Sequence, residues 1–431
     1  MTSTLNQGQT AAAEGFLEFL LADNEREMKV SGPGGTGKTH LMSNMIDKIM
    51  PRYFELCGIM GIEPKYDGVH MTATTNKAAE VLAIATQRPT STLASLLCLK
   101  VTEDYSTGET KLTRRNDWKP HEKKIIFVDE YTMMDTGMLN AVRDAAIDCK
   151  IIYVGDHCQL SPVTEAICPV DKLNIRTYEL TEQMRTSVPE FKALHEQLRY
   201  QVENHEFYPI EIKPGVIDWL DDDQMQSMID QTFAQQTKAS KILSYTNARV
   251  NQFNDHIRSL RHLPDEYTVG ELLVSNSMVN IGKKRISIEQ ELEVIELAPR
   301  STFIEVDTAG TKLEVVYATL GMSSGGYVEK VPIPVDRDHF NKLVKHYQRK
   351  KQWPEYFNLK GTFPDLRPLD SSTVHKSQGS TYDSVFVDLG NISTCPNPNM
   401  VARMLYVALS RPRHRIFLYG HLADKYGGLH F

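Results

Sequence analysis

Residues 32–39 run Gly32-Pro33-Gly34-Gly35-Thr36-Gly37-Lys38-Thr39, the spacing G-x-x-x-x-G-K-[ST]. That spacing selects a ligand by charge. Glycines let successive backbone N–H groups turn inward onto phosphate oxygens. A helix opening at about Thr39 adds the positive end of its dipole. Lys38 is then placed for the β- and γ-phosphates and the Thr39 hydroxyl for Mg²⁺, with His40 beside them in the first helical turn.

Two further sites belong to the same chemistry. Lys124-Ile125-Ile126-Phe127-Val128 is an apolar run that ends in Asp129 and Glu130. A run of this kind suits a strand buried on both faces of a parallel sheet, whose ligands lie beyond the carboxyl ends of the strands. Asp129 would hold Mg²⁺, directly or through water, and Glu130 would orient and deprotonate the attacking water. A third apolar run, Ile151-Ile152-Tyr153-Val154, leads into Gly155-Asp156-His157-Cys158-Gln159. Gln159 could hydrogen-bond a γ-phosphate or the lytic water. Together the three sites describe a nucleotide hydrolase.

Other segments extend the pattern along the chain: Leu5-Asn6-Gln7-Gly8-Gln9, Ala73-Thr74-Thr75-Asn76-Lys77-Ala78-Ala79, Leu180-Thr181-Glu182-Gln183-Met184-Arg185, Ser372-Thr373-Val374-His375-Lys376-Ser377-Gln378-Gly379 and Leu405-Tyr406-Val407-Ala408-Leu409-Ser410-Arg411. In this order the motifs resemble those of superfamily 1 DNA helicases. The His375–Gly379 form and the layout are similar to the 5′-to-3′ branch that holds the RecD and Dda helicases, and most of all to the Dda group. The resemblance implies ATP with Mg²⁺, and gives roles to single residues. Gln9 would contact adenine. Arg185 and Arg411 would be arginine fingers, and Gln378 and Gly379 would couple the nucleotide to the strand. Thr75, Asn76 and Thr92 on one domain, and Thr373 and His375 on the other, would touch single-stranded DNA. Two departures stand out: Ala94 replaces a family His near Thr92, and Ser380-Thr381-Tyr382 supplies no Glu for the ribose hydroxyl.

The resemblance also implies a motor that translocates 5′-to-3′ and unwinds duplex at junctions in DNA replication or recombination. It would act as a monomer, with single-strand-binding and replication or recombination proteins as candidate partners, in a bacterial cytoplasm if the chain is viral. Two alternatives stay open: a translocase that strips proteins from single strands, and a nucleotide-gated DNA binder with little turnover.

These residues need elements to position them. Met28-Lys29-Val30 reads as a strand before the phosphate loop, and Leu41, Met45, Ile46 and Ile49 have helical spacing after it. The expected fold class is α/β, with two RecA-like domains. Residues 1–185 form the first. Residues 186–268 and 365–431 form the second. Residues 98–120 suggest a β-hairpin insert with Ser106-Thr107-Gly108-Glu109 in its turn and Tyr105 near its tip. By resemblance the hairpin would be a pin and Tyr105 an aromatic wedge against bases. Short β-like runs across 269–364 suggest a small barrel, SH3-like by resemblance. A helix-like arm at 338–351 carries Lys342, Lys345, Arg349, Lys350 and Lys351, either as a solvated face or as a nucleic-acid contact.

Composition sets the outer bounds. A length of 431 residues with 41% hydrophobic and 24% charged residues is ordinary for roughly two to four globular domains. A net charge of −7 argues against a DNA binder that works through its whole surface. It is compatible with a narrow channel supplying the phosphate contacts. The start of the chain lacks the basic and apolar segments of a secretion signal, and no apolar run is long enough for a membrane span. The six cysteines have no metal-ligand spacing, so a reduced, cytosolic setting is expected.

Overall fold

The computed structural model describes residues 5–162, 165, 167–182, 188–323 and 325–431. The architecture is mixed α/β, built on two parallel sheets. In the first, the strands lie side by side in the order Arg176–Glu179, Glu27–Ser31, Lys150–Gly155, Lys124–Asp129, Gly68–Ala73 and Thr90–Thr92, all parallel. Ile125, Ile126, Phe127 and Val128 are fully buried, which is what a central strand covered on both faces requires. Helices Gln7–Leu21 and Met50–Met60 cover one face through Phe16, Leu20 and Tyr53, and helix Thr136–Ala145 covers the other through Leu139 and Val142.

The second parallel sheet runs Ile217–Leu220, Pro412–Tyr419, Tyr382–Asp388, Ser240–Ser244 and Ser371–Thr373. Its largest core cluster includes Phe191 and Leu198 from helix Pro189–Asn204 and Leu405 and Leu409 from helix Pro398–Leu409.

Between Ser240–Ser244 and Ser371–Thr373 the chain leaves to build an antiparallel sheet from Leu272–Ser275, Glu291–Leu297, Thr302–Glu305, Lys312–Met322, Tyr327–Pro334 and Leu366–Pro368. Helices Arg337–Arg349 and Trp353–Thr362 project from it. Buried arginines fasten both crossings. The Arg258 guanidinium bonds the Glu271 carboxylate and the Glu266 carbonyl, and Arg261 forks onto Asp370 at 2.7 and 2.9 Å.

Leu99–Glu103 and Thr110–Arg114 pair antiparallel and stand off the first sheet. Their turn rests on helix Trp353–Thr362. Gly108 has φ +76°, and a Cβ there would meet the Trp353 ring at 2.5 Å. Tyr105 packs edge-on against Phe357, with ring centroids 5.6 Å apart. Among the described residues, no helix is long and apolar enough to cross a membrane.

Candidate nucleotide and nucleic-acid site

Register brings the chemistry-bearing residues to one edge. Ser31 is level with Gly155 and Glu179, and Asp129 is level with Val154 and Ala73. The phosphate loop leaves from Ser31, the Gln159 loop from the neighbouring strand, and Asp129-Glu130 from the strand after that.

The loop is held in shape by its own polar groups. Gly37 caps helix Lys38–Asn44 at φ +76°, a conformation that side chains resist. Gln9 occupies the space a Gly37 Cβ would need. Its Oε1 accepts from the Asn6 N–H at 3.1 Å, completing a capping box for helix Gln7–Leu21, and its Nε2 donates to the Thr36 carbonyl at 3.0 Å. Lys38 Nζ donates to the carbonyls of Gly32 at 2.6 Å and Pro33 at 3.0 Å.

Across from the loop, burial raises the Asp129 carboxyl well above its usual range; the adjacent Glu130 charge pushes it further and Lys38 pulls it partly back. Glu130 has φ 52° and ψ 43°, a left-handed backbone that costs a non-glycine residue about 1–3 kcal/mol. Thr74 fastens this corner, donating from its N–H to Asp129 O at 3.2 Å and from its hydroxyl to Glu130 O at 2.9 Å. Glu130 Oε2, Gln159 Oε1 and Gln378 Oε1 are buried without a hydrogen-bond partner. Each such atom costs about 1–3 kcal/mol unless something donates to it. A glycine-rich loop opening a helix, a buried carboxyl raised beside a second acid and three orphaned acceptors fit a nucleotide with its divalent cation.

The second parallel sheet reaches this corner at two points. Gln378 Nε2 donates to Thr132 Oγ1 at 3.2 Å. The Gln159 loop is pinned from the other side: Arg403 Nη1 donates to the carbonyls of His157 and Gln159, and the Tyr406 hydroxyl to Asp156. Arg411 is buried and bonds the Val407 carbonyl at 3.0 Å, the Ser380 carbonyl at 3.3 Å and Ser410 Oγ at 2.8 Å, all on its own side of the cleft. Arg185 lies outside the described residues.

The expected DNA contacts sit where strands hand over to helices. Thr75 and Thr92 are N-caps, their hydroxyl oxygens accepting from Ala78 N and Ser95 N at 3.1 Å each, which leaves each O–H able to donate outward. Asn76 opens the helix after Thr75. Thr373, level with Ser244, ends a strand of the second sheet; burial holds the pKa of His375, two residues on, below its usual value. Tyr105 is 57% exposed, and its hydroxyl donates to Glu103 at 3.1 Å.

Comparison with known proteins bears on both halves. Residues 4–212 match the AAA domain family, and residues 368–419 match the UvrD-like helicase C-terminal domain. The ATP-dependent DNA helicase dda of Enterobacteria phage T4 aligns at 23% identity over 96% of this chain and 98% of its own length. Along nearly its whole length the chain is similar to a Dda helicase of superfamily 1. An uncharacterized protein, R530, of Acanthamoeba polyphaga mimivirus aligns at 20% identity over 95% of this chain and 99% of its own length. A Pif1 helicase from Bacteroides, solved with ADP-AlF3 and single-stranded DNA, has the same fold: TM-score 0.52 at 16% identity, covering 99% of this chain and 94% of that one. Pif1 from Candida albicans superposes with TM-score 0.50 at 18% identity, covering 99% and 97%.

Two features of this chain lie outside the motifs read from its sequence. Thr246 and Asn247 repeat in the second sheet what Thr75 and Asn76 do in the first. Thr246 caps helix Asn247–Leu260 just beyond strand Ser240–Ser244, and Arg367 donates to Asn247 Oδ1 at 2.9 Å. The repeated Thr-Asn after an apolar run was the available signal. Helix Trp353–Thr362, which receives the hairpin, carries Trp353, Tyr356 and Phe357 at the i, i+3, i+4 spacing of one helical face, but that spacing does not say what the face meets.

Proposed function

We propose that the chain is an ATP-driven DNA helicase that translocates 5′-to-3′ on single-stranded DNA and separates duplex at junctions. One observation carries the reading: a phosphate cradle, two acids and Gln159 meet at the carboxyl edge of one parallel sheet, and the second parallel sheet grips the same corner through Gln378, Arg403 and Tyr406. Residues 32–39 cradle the phosphates, with His40 beside them in the first helical turn and Gln9 on the adenine. Thr39 and Asp129 would hold Mg²⁺, which when bound neutralises phosphate charge. Glu130 accepts the proton of the attacking water, and Gln159 orients it. Arg185 and Arg411 act as fingers on the γ-phosphate, a role worth roughly 10³–10⁵ in rate. Arg411 must leave its carbonyl partners to do so, which ties hydrolysis to rearrangement of the cleft. Thr75, Asn76 and Thr92 grip the strand on one side, Thr373 and His375 on the other, with Thr246 and Asn247 added here. The hairpin is the pin, and the antiparallel sheet with its two helices is an SH3-like insert with an arm. Replication or recombination is the setting, and a monomer the working unit.

The test is ATP hydrolysis with and without a single-stranded oligonucleotide at fixed low salt. Strong stimulation is expected, followed by unwinding of 5′-tailed but not 3′-tailed duplex. A slow rate indifferent to DNA would overturn the motor reading. Lys38→Ala and Glu130→Gln should each abolish the stimulated rate with unchanged thermal melting; near-normal turnover in either would remove it from the site.

A further inference from the structure

The loop that carries Gln159 begins on the first sheet and is buried in the second unit. Cys158 and Leu160, on either side of Gln159, are fully buried in the core cluster that holds Phe191, Leu405 and Leu409. Arg403 Nη1 donates to the carbonyls of His157 at 2.6 Å and Gln159 at 2.5 Å. One turn further along the same helix, the Tyr406 hydroxyl donates to Asp156 Oδ2 at 2.6 Å. Residues three apart lie on one helix face, so a single rigid surface makes both contacts. Asp156 Oδ1 accepts from Arg199 Nη1 at 2.8 Å and from Cys158 N at 3.2 Å, which fixes the turn from within. Arg411 follows the end of this same helix, Pro398–Leu409.

We propose that Arg403 and Tyr406 are positioning residues for Gln159, registering it to the helix that leads into Arg411. The inference rests on the reading of Gln159 as a contact to the γ-phosphate or lytic water. The two groups aimed at the reaction then move together. Packed side chains and charge-assisted hydrogen bonds of this kind have discrete arrangements, which is what coupling requires.

The test is a pair of double-mutant cycles on kcat and KM for ATP at saturating single-stranded DNA, using Arg403→Ala, Tyr406→Phe and Gln159→Ala. Each positioning variant should lower kcat, by roughly tenfold for Arg403→Ala, with KM for ATP little changed, and neither should add to the loss already caused by Gln159→Ala. The same loss on both backgrounds would overturn the inference alone, leaving the function intact. Gln159→Ala at the wild-type rate would overturn the Gln159 reading and this inference with it. Tyr406→Phe keeps the buried ring and removes one hydroxyl, so its cycle decides the matter if Arg403→Ala does not fold.

Discussion

Lys150 shows how much a single position can hide. It opens strand Lys150–Gly155 and is 1% exposed, although the apolar pattern visible in sequence begins one residue later. Its ammonium donates to the carbonyls of Ala22 and Glu25 and lies 4.4 Å from the centre of the Phe19 ring. Burial nonetheless pushes its pKa down to about 8. The sign follows from linkage. Between that value and about 10.4, where an unfolded lysine titrates, the unfolded chain binds more protons, so the residue's contribution to stability improves as pH rises. Lys150→Met, which does not titrate, should therefore lose ground to the wild type as pH rises from 7 to 10. Thermal melting across that range checks it, and a constant difference in Tm would count against the buried charge. The phosphate loop and the Asp129-Glu130 pair were legible because their chemistry needs fixed residue types at fixed spacing. The left-handed backbone at Glu130 was not, since only the packed corner around Thr74 selects it.

Among the elements, the hairpin is instructive because its turn chemistry announced it and its landing place did not. Ser106-Thr107-Gly108-Glu109 between two β-like runs is a local signal. That the tip meets Trp353 and Phe357, some 250 positions later, is set only by tertiary packing. A hairpin braced at its tip keeps its shape under load, which a wedge needs. Tyr105→Ala should impair unwinding of a tailed duplex while leaving single-strand-stimulated ATPase largely unchanged. Phe357→Ala, which removes the ring Tyr105 packs against, should reproduce that pattern in part. Equal loss of unwinding and hydrolysis in Tyr105→Ala would argue against the wedge.

At the scale of the whole molecule, the order of motifs foreshadowed two parallel sheets, because each motif must follow a strand. The contacts across the cleft were hidden, because they join residues 244 and 250 positions apart with no shared pattern. That separation also has a meaning in time. A ribosome adds about 5–20 residues per second, so Cys158 and Leu160 emerge roughly 12–50 s before the helix that covers them. During that interval the loop has only helix Pro189–Asn204 beside it and lacks the cover of Leu405 and Leu409 and the bonds from Arg403 and Tyr406. Chains arrested shortly before residue 398 should be cut by protease within 156–160, and chains released at full length should resist. Equal protection in both would mean that the loop finds shelter on its own half first. The clasp that would keep two catalytic groups in step is thus also among the last things the newborn chain can close.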